Sequence, residues 1–369
     1  MKVVTVVGAR PQFIKAAVVS HVLRKRHTEI LVHTGQHFDR NMSELFFEEL
    51  EIPKPDYNLG ISGGSHAAMT GRMMIAIEEV LQKETPDWLL VYGDTNSTLA
   101  AALAAAKLHI PVCHAEAGAW LHRLDNPEEI NRICTDHIGT LLFASTKNGL
   151  EELKKENLGD RSKFVGDPMF DAFRIYSEKR NIRDIRLQLL TGEEISVPGK
   201  YYYLTCHREE NTKNDDTLLS ILRAMETLGV PAVYPVHPRN RARAMELQET
   251  QGIRDVLLVE PVGYLESTAL VRHAEKIVTD SGGLQREAFF AEKKCVTVFD
   301  VPIWPETMVN HRNDLAKPDM KDILDRLSLE QGIDDGYRPF GDGHAAEKIV
   351  AAMEEAFQNK KERQGEKDV

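Results

Sequence analysis

At 369 residues and 41.6 kDa the chain is longer than one ordinary core, and its length predicts two domains. Hydrophobic residues at 42% and charged residues at 28% are the proportions of a soluble globular protein, which excludes a disordered or membrane-embedded chain. A net charge of −11 argues against nucleic acid as a partner, because a phosphate backbone is held mainly by Lys and Arg, yet it leaves room for a phosphorylated small molecule.

Taken in order, short apolar, β-branched runs alternate with longer stretches of helical spacing. Residues 3–7, 30–33, 88–92, 112–114 and 141–144 read as buried strands, and 11–25, 42–50, 66–82 and 97–107 as helices. This is the βαβ rhythm of a parallel sheet. It restarts at 201–205 and continues through 232–235, 256–259, 276–279 and 295–299. Between the two series, the charged segment 173–200 closes with Pro198-Gly199 and reads as a hinge. The expected fold class is α/β, with two Rossmann-like doubly wound domains over 1–172 and 173–342. A late amphipathic stretch, 343–361, falls outside the second sheet, and the charged tail 358–369 reads as frayed.

Apolar runs such as 99–108 are too short and interrupted to span a bilayer, so no membrane partner is expected. Met1-Lys2-Val3-Val4 passes straight into strand-like sequence, unlike a signal peptide, and predicts a cytoplasmic location. Cys113, Cys134, Cys206 and Cys295 lie far apart and read as thiols of a reducing compartment. The 14 histidines form no H-E-x-x-H or clustered-carboxylate spacing, so no metal site is expected.

Ligands of doubly wound sheets bind beyond the carboxyl ends of the strands, and the chemistry-bearing residues fall there. Gly8-Ala9-Arg10-Pro11-Gln12-Phe13-Ile14-Lys15, Gly93-Asp94-Thr95-Asn96-Ser97 and His114-Ala115-Glu116-Ala117-Gly118 follow strands of the first half. His207-Arg208-Glu209-Glu210-Asn211, His237-Pro238-Arg239 and Asp280-Ser281-Gly282-Gly283 follow strands of the second. Pro11 suits the first turn of a helix, whereas Arg10 and Lys15 are cations at its positive end and make sense if an anion binds there. Ser281-Gly282-Gly283 before a helix would let a diphosphate reach the free N–H groups of the first turn. Glu287, one turn in, reads either as an acceptor for ribose hydroxyls or as a solvated surface residue. Asp94 and Glu116 are candidate acids or bases, with a helix N-cap as the other reading of Asp94. Glu128 and Glu129 behind Pro127 read as residues that complement a helix dipole. His207 with Arg208 would clamp or protonate a leaving phosphate, and His237 with Arg239 would shape the nucleotide pocket.

In that order and at those spacings, G-A-R-P-Q-F-I-K, H-T-G-Q-H, V-Y-G-D-T-N-S-T, H-x-E-A-G, P-E-E-I-N-R-x-x-T-D-H, H-R-x-E-N, V-H-P-R and T-D-S-G-G-x-Q-R-E-A resemble the non-hydrolysing UDP-N-acetylglucosamine 2-epimerases over nearly the whole chain. The stretches HTGQHFDRNMS and TGRMM look closest to the branch acting on UDP-2,3-diacetamido-2,3-dideoxy-glucuronate. The resemblance implies a GT-B arrangement with a cleft between the domains, and a C-terminal segment, 343–369, whose helix crosses back to the first domain. It implies a homodimer, a UDP-sugar substrate and no cofactor: a base removes the C2 proton, UDP leaves to give a glycal, and both add back with C2 inverted. By position it makes Asp94, Glu116 and Glu128 the acid/base carboxylates, which reverses the dipole reading of Glu128. Arg10, Lys15 and His207 would surround the diphosphate and leaving oxygen. Ser281, Gly282, Gly283 and Glu287 would hold phosphate and ribose.

Departures from the family pattern concentrate in the substrate shell. Glu116-Ala117-Gly118 continues with Ala119-Trp120 in place of Leu-Arg, and Arg123 is the nearest arginine after it. Phe299-Asp300-Val301-Pro302-Ile303-Trp304-Pro305-Glu306 stands where Arg-Asp-Thr-Thr-Glu-Arg-Pro-Glu is common, and Ser267 where an apolar or aromatic residue often meets the base. An epimerase of another nucleotide sugar or sugar phosphate, and a GT-B glycosyltransferase or hydrolysing relative, are the rival readings.

Overall fold

The computed structural model describes residues 1–36 and 47–365, and it divides into two compact units: Met1–Ala172 with Arg338–Val369, and Phe173–Tyr337. In the first, β1 (Lys2–Val7), β2 (Thr28–His33), β3 (Tyr57–Asn58), β4 (Trp88–Tyr92), β5 (Val112–Ala117), β6 (Leu141–Ala144) and β7 (Ser162–Phe164) form one parallel sheet in the order β3-β2-β1-β4-β5-β6-β7. Val4 pairs with Ile30 on one side and Leu89 on the other. Because β1 and β4 are neighbours, the winding reverses between them, and the turns after these two strands flank the switch point. Val4, Val6, Leu89 and Val91 are fully buried against Met73, Ile77 and the alanines of the helix Asn96–Lys107. Each such valine or leucine stabilises by about 1.5–3 kcal/mol relative to exposure.

Helix starts follow the side chains that can cap them. Ser65, Thr95, Asn126 and Thr146 each accept a hydrogen bond from a backbone N–H in the first turn of the helix that follows. Thr95, not Asp94, caps Asn96–Lys107, which removes the N-cap reading of Asp94.

The second unit contains the hairpin β8 (Arg186–Gln188) and β9 (Glu194–Ser196). Its parallel sheet contains β10 (Tyr202–Thr205), β11 (Ala232–Pro235), β12 (Val256–Val259), β13 (Lys276–Thr279), β14 (Lys294–Val298) and β15 (Asn313–Ala316), in the order β12-β11-β10-β13-β14-β15. Its switch point lies between β10 and β13, where Leu204 pairs with Val278. Both units are doubly wound, so the α/β class is the expected one.

Two expectations change. The segment 173–200 is no hinge: Phe173, Ile185 and Leu187 are buried in the core of the second unit, because its charges alternate with apolar residues that the hairpin turns inward. The tail expected to fray from 358 continues the helix Ala345–Gly365. That helix belongs to the first unit, where the Ala346 N–H donates to Asp171 Oδ2 at 2.8 Å and the His27 ring meets Glu354 Oε1 at 2.7 Å. Of the helix expected at 42–50, only its end is described. Residues 37–43 of HTGQHFDRNMS and tail residues 366–369 lie outside the described residues. No described helix is long and apolar enough to cross a membrane.

Candidate active site

In the first unit, the turns after β1, β4 and β5 are bound to one another by side chains. Gln12 accepts from the N–H groups of Gly8 (2.7 Å) and Ala9 (3.1 Å), and its amide donates to Tyr92 O (2.7 Å) and the Thr95 and Thr98 hydroxyls. This fixes the start of the helix Arg10–Leu23 against the end of β4. Gly8 has no room for a side chain, since a Cβ there would lie 2.2 Å from Ser97 Oγ.

Glu116, the penultimate residue of β5, sits in the left-handed region at φ 70°, where pairing with β6 skips between Ala115 and Ala117. A bulge of this kind re-aims one side chain. The one re-aimed here reaches Lys15, with Glu116 Oε2 2.5 Å from Lys15 Nζ and both groups buried. A Cβ on Gly93 would lie 3.5 Å from Glu116 Oε1 and 3.7 Å from Lys15 Nζ, so the turn after β4 rests directly on this pair. Lys15 is therefore balanced by Glu116 rather than left as an uncompensated cation. The sequence could not show this, because the partner is about 100 residues away in the chain. Arg10 is half-buried at the first position of its helix.

Asp94 meets a different cation. Its Oδ2 accepts from Arg132 Nη2, and Arg132 Nη1 donates to Glu129 Oε2 at 2.5 Å. Glu129 Oε1 in turn accepts from the N–H groups of Leu121 (2.8 Å) and His122 (2.7 Å). One turn further, Asp136 accepts from Gly118 N–H (3.0 Å) and Trp120 Nε1–H (2.7 Å), and lies 2.7 Å from His114 Nδ1. The other nitrogen of His114 is 2.6 Å from Gly93 O. Glu129, Arg132 and Asp136 thus form one buried face of the helix Pro127–Ile138, holding the turns after β4 and β5 together. Sequence reasoning missed this face; the 3- and 4-residue spacing of its charged residues was the available signal. Glu128 is exposed in the first turn and is not among these contacts.

The second unit gathers its predicted residues around Asp280. That buried carboxylate accepts through Oδ2 from the N–H groups of His207 and Arg208, both at 2.8 Å, and its Oδ1 lies 3.0 Å from His207 Nδ1. Burial would raise Asp280, but His207 and the two backbone N–H groups outweigh it and hold the acid below its ordinary value. Asn211 bridges Asp280 Oδ2 (3.3 Å) and Val298 O (3.0 Å), and Arg239 donates to His207 O at 2.8 Å. His237 is exposed and accepts the Arg239 N–H, while Glu210 is exposed on the short helix Glu209–Thr212. Ser281 caps the helix Gly282–Phe290, whose first-turn N–H groups are those that an α-helix leaves for a ligand. Glu287 is buried, which excludes the solvated reading, and desolvation pushes it up to about 7 against the pull of Arg286 and Tyr264.

The departures take definite places. Trp120 is tied to Asp136 and stacks on His137 with centroids 6.1 Å apart, and Arg123 pairs with Asp125. Ser267 Oγ lies 3.1 Å from the Tyr203 hydroxyl. Phe299 carries the Arg208 guanidinium 3.9 Å above its ring, and Trp304 carries that of Arg286 at 4.1 Å. The loop that lacks the two common arginines still has two guanidinium groups against it, supplied by other elements. Among the described residues, no group of three His, Cys, Asp or Glu is placed to hold a metal ion.

The family model for UDP-N-acetylglucosamine 2-epimerase matches residues 21–354. The chain is 45% identical to the UDP-2,3-diacetamido-2,3-dideoxy-D-glucuronate 2-epimerase of Pseudomonas aeruginosa, over 95% of this chain and 98% of that protein. It is 43% identical to a UDP-N-acetylglucosamine 2-epimerase homolog of Methanococcus maripaludis, over 96% and 99%. Its fold superposes with a TM-score of 0.84 on the Methanocaldococcus jannaschii UDP-GlcNAc 2-epimerase in complex with UDP-GlcNAc and UDP, at 36% identity over 96% and 99% of the two chains. The carboxylates beside one switch point and the glycine-led helix beside the other thus occur in a chain that belongs to the UDP-N-acetylglucosamine 2-epimerase family of isomerases.

Proposed function

We propose that this chain reversibly inverts C2 of a UDP-activated 2-acetamido sugar. Asp94, Glu116 and Glu128 are the acid/base carboxylates. One removes the C2 proton, the C–H electron pair forms the C1–C2 double bond, and the C1–O bond breaks to release UDP. A second carboxylate delivers a proton to the other face of C2 while the UDP oxygen re-forms the bond to C1. What carries the reading is that Asp94 just after β4 and Glu116 near the carboxyl end of β5 each lie against their own buried cation, Arg132 and Lys15 respectively. A carboxylate held in one place by an ion pair is the kind of group that serves as a general acid or base.

Arg10 and Lys15 of the first unit are read as diphosphate-binding residues; within the second unit, His207, Arg208, Ser281, Gly282 and Gly283 are read as phosphate-binding and Glu287 as ribose-binding. Asn211, His237, Arg239 and the exposed Glu210 would complete the nucleotide's surroundings. The 2,3-diacetamido uronate is the favoured sugar, supported by the 45% identical relative and the TGRMM stretch, with UDP-GlcNAc as the second candidate. A cytoplasmic homodimer completes the reading, supported by the resemblance and testable by light scattering. Incubation in D₂O with each sugar, followed by NMR, tests the reaction. Deuterium at C2 with a mixture of two epimers is the expected result. Free UDP accumulating without epimer would instead identify a hydrolase.

A further inference from the structure

We propose that Arg132 is the positioning residue of Asp94, fixing the aim of that carboxylate through the helix Pro127–Ile138. This rests on the reading of Asp94 as an acid/base. Arg132 is only 6% exposed and Glu129 is fully buried, and the two are joined at 2.5 Å. Glu129 is further held by two backbone N–H groups. A buried guanidinium needs a counter-charge, and Glu129 already supplies it. Asp94 keeps 26% of its side chain exposed, so water could solvate it without help from Arg132. The second arm of the guanidinium is therefore not explained by charge balance. What it does is hold one oxygen of a short side chain that would otherwise rotate on its turn.

The same helix holds the backbone of that turn, since Asn131 Nδ2 donates to Asp94 O at 2.9 Å. Main chain and carboxylate of Asp94 are thus fixed by adjacent residues of one helix. A planar fork on a rigid element can hold two carboxylates in one geometry, which the single ammonium of a lysine cannot. A proton-transfer group displaced by about 1 Å loses rate on the order of a hundredfold, so fixing the rotamer acts on turnover.

The test uses the full-length protein and follows C2 deuteration of UDP-GlcNAc and of the diacetamido uronate, with UDP affinity measured by calorimetry. Arg132→Lys is expected to lower kcat about tenfold and Arg132→Met about a hundredfold, with KM and UDP affinity within about threefold of wild type. Guanidinium at tens of millimolar is expected to restore exchange in Arg132→Gly saturably, and methylammonium is not. Wild-type exchange in Arg132→Met, with Asp94→Asn inactive, overturns the positioning role and leaves Asp94 as acid/base. Wild-type exchange in Asp94→Asn overturns the reading of Asp94 itself. Should Arg132→Met fail to fold, Arg132→Lys decides, and a parallel loss of kcat, UDP affinity and thermal stability without guanidinium rescue overturns the proposal.

Discussion

Lys15 and Glu116 form an ion pair at 2.5 Å with side chains 2% and 8% exposed, across the turn that follows β4. Removing one partner of such a pair leaves a buried charge alone. Lys15→Met should lower the unfolding free energy by about 3–5 kcal/mol, and adding Glu116→Gln should recover much of that loss. Urea denaturation of the two single variants and the double variant measures the coupling. Simple additivity would show that the pair carries no mutual stabilisation.

Asp280 anchors the His207–Arg208 turn, proposed above to bind the nucleotide, so Asp280→Asn should weaken UDP binding by about tenfold or more, as charge-assisted hydrogen bonds to His207 and Arg208 are lost. Its pKa is depressed in the folded protein, so the stability it contributes is present above about pH 4, the ordinary aspartate value, and is lost as pH falls towards the folded value. The gap in melting temperature between wild type and Asp280→Asn should therefore be widest near neutrality and close in acid. A gap that stays constant from pH 7 to pH 3 would contradict this.

Glu287 has the opposite sign. Burial raises it to about 7, so the folded state keeps a proton that the unfolded chain has released, and stability declines as pH rises from about 4.5 to 7. Glu287→Gln should be more stable than wild type at pH 8, by on the order of 3 kcal/mol at most, and little different at pH 4. If the ionised carboxylate accepts from ribose hydroxyls, wild-type UDP affinity should rise through pH 7 while that of Glu287→Gln stays flat. Calorimetry across pH 6–8 checks this.

Restoring the family's common residues in the 299–306 loop should harm this chain. Phe299→Arg and Trp304→Arg would each place a cation where Arg208 or Arg286 now stacks, replacing attraction with repulsion. Each should cost about 1–2 kcal/mol of stability and lower turnover. Pairing Trp304→Arg with Arg286→Glu should recover part of the loss, which thermal melts and the C2 exchange assay can follow.

Much of this architecture was legible in the sequence, because strand and helix periods are local and each strand is followed by polar loop residues. Pro11, Ser281 and the β-branched run of β1 announce their elements directly. Pairings across the chain were not legible. Nothing near Lys15 points to Glu116, and nothing near Asp94 points to Arg132, since both contacts depend on the order in which strands join the sheet. Phe299 and Trp304 read as losses of charge, and only packing shows the arginines they carry. From sequence, Glu129 reads like Glu128 as dipole chemistry, although Glu129 is buried and Glu128 exposed. Adjacent helix residues point about 100° apart, so a repeated letter conceals a difference in environment.

The charged face of the helix Pro127–Ile138 also limits how this enzyme can diverge. Because Arg132 holds the Asp94 turn while Glu129 and Asp136 hold the loop leaving Glu116, the helix acts as a gauge block that sets the spacing of the two acids. A shift of that helix would move both acids at once, so a lineage adapting to a new sugar cannot adjust one alone by this route. Variation is better tolerated on the helix's outer face, at the exposed Ile130 and Cys134. The chemistry can then stay fixed while recognition drifts.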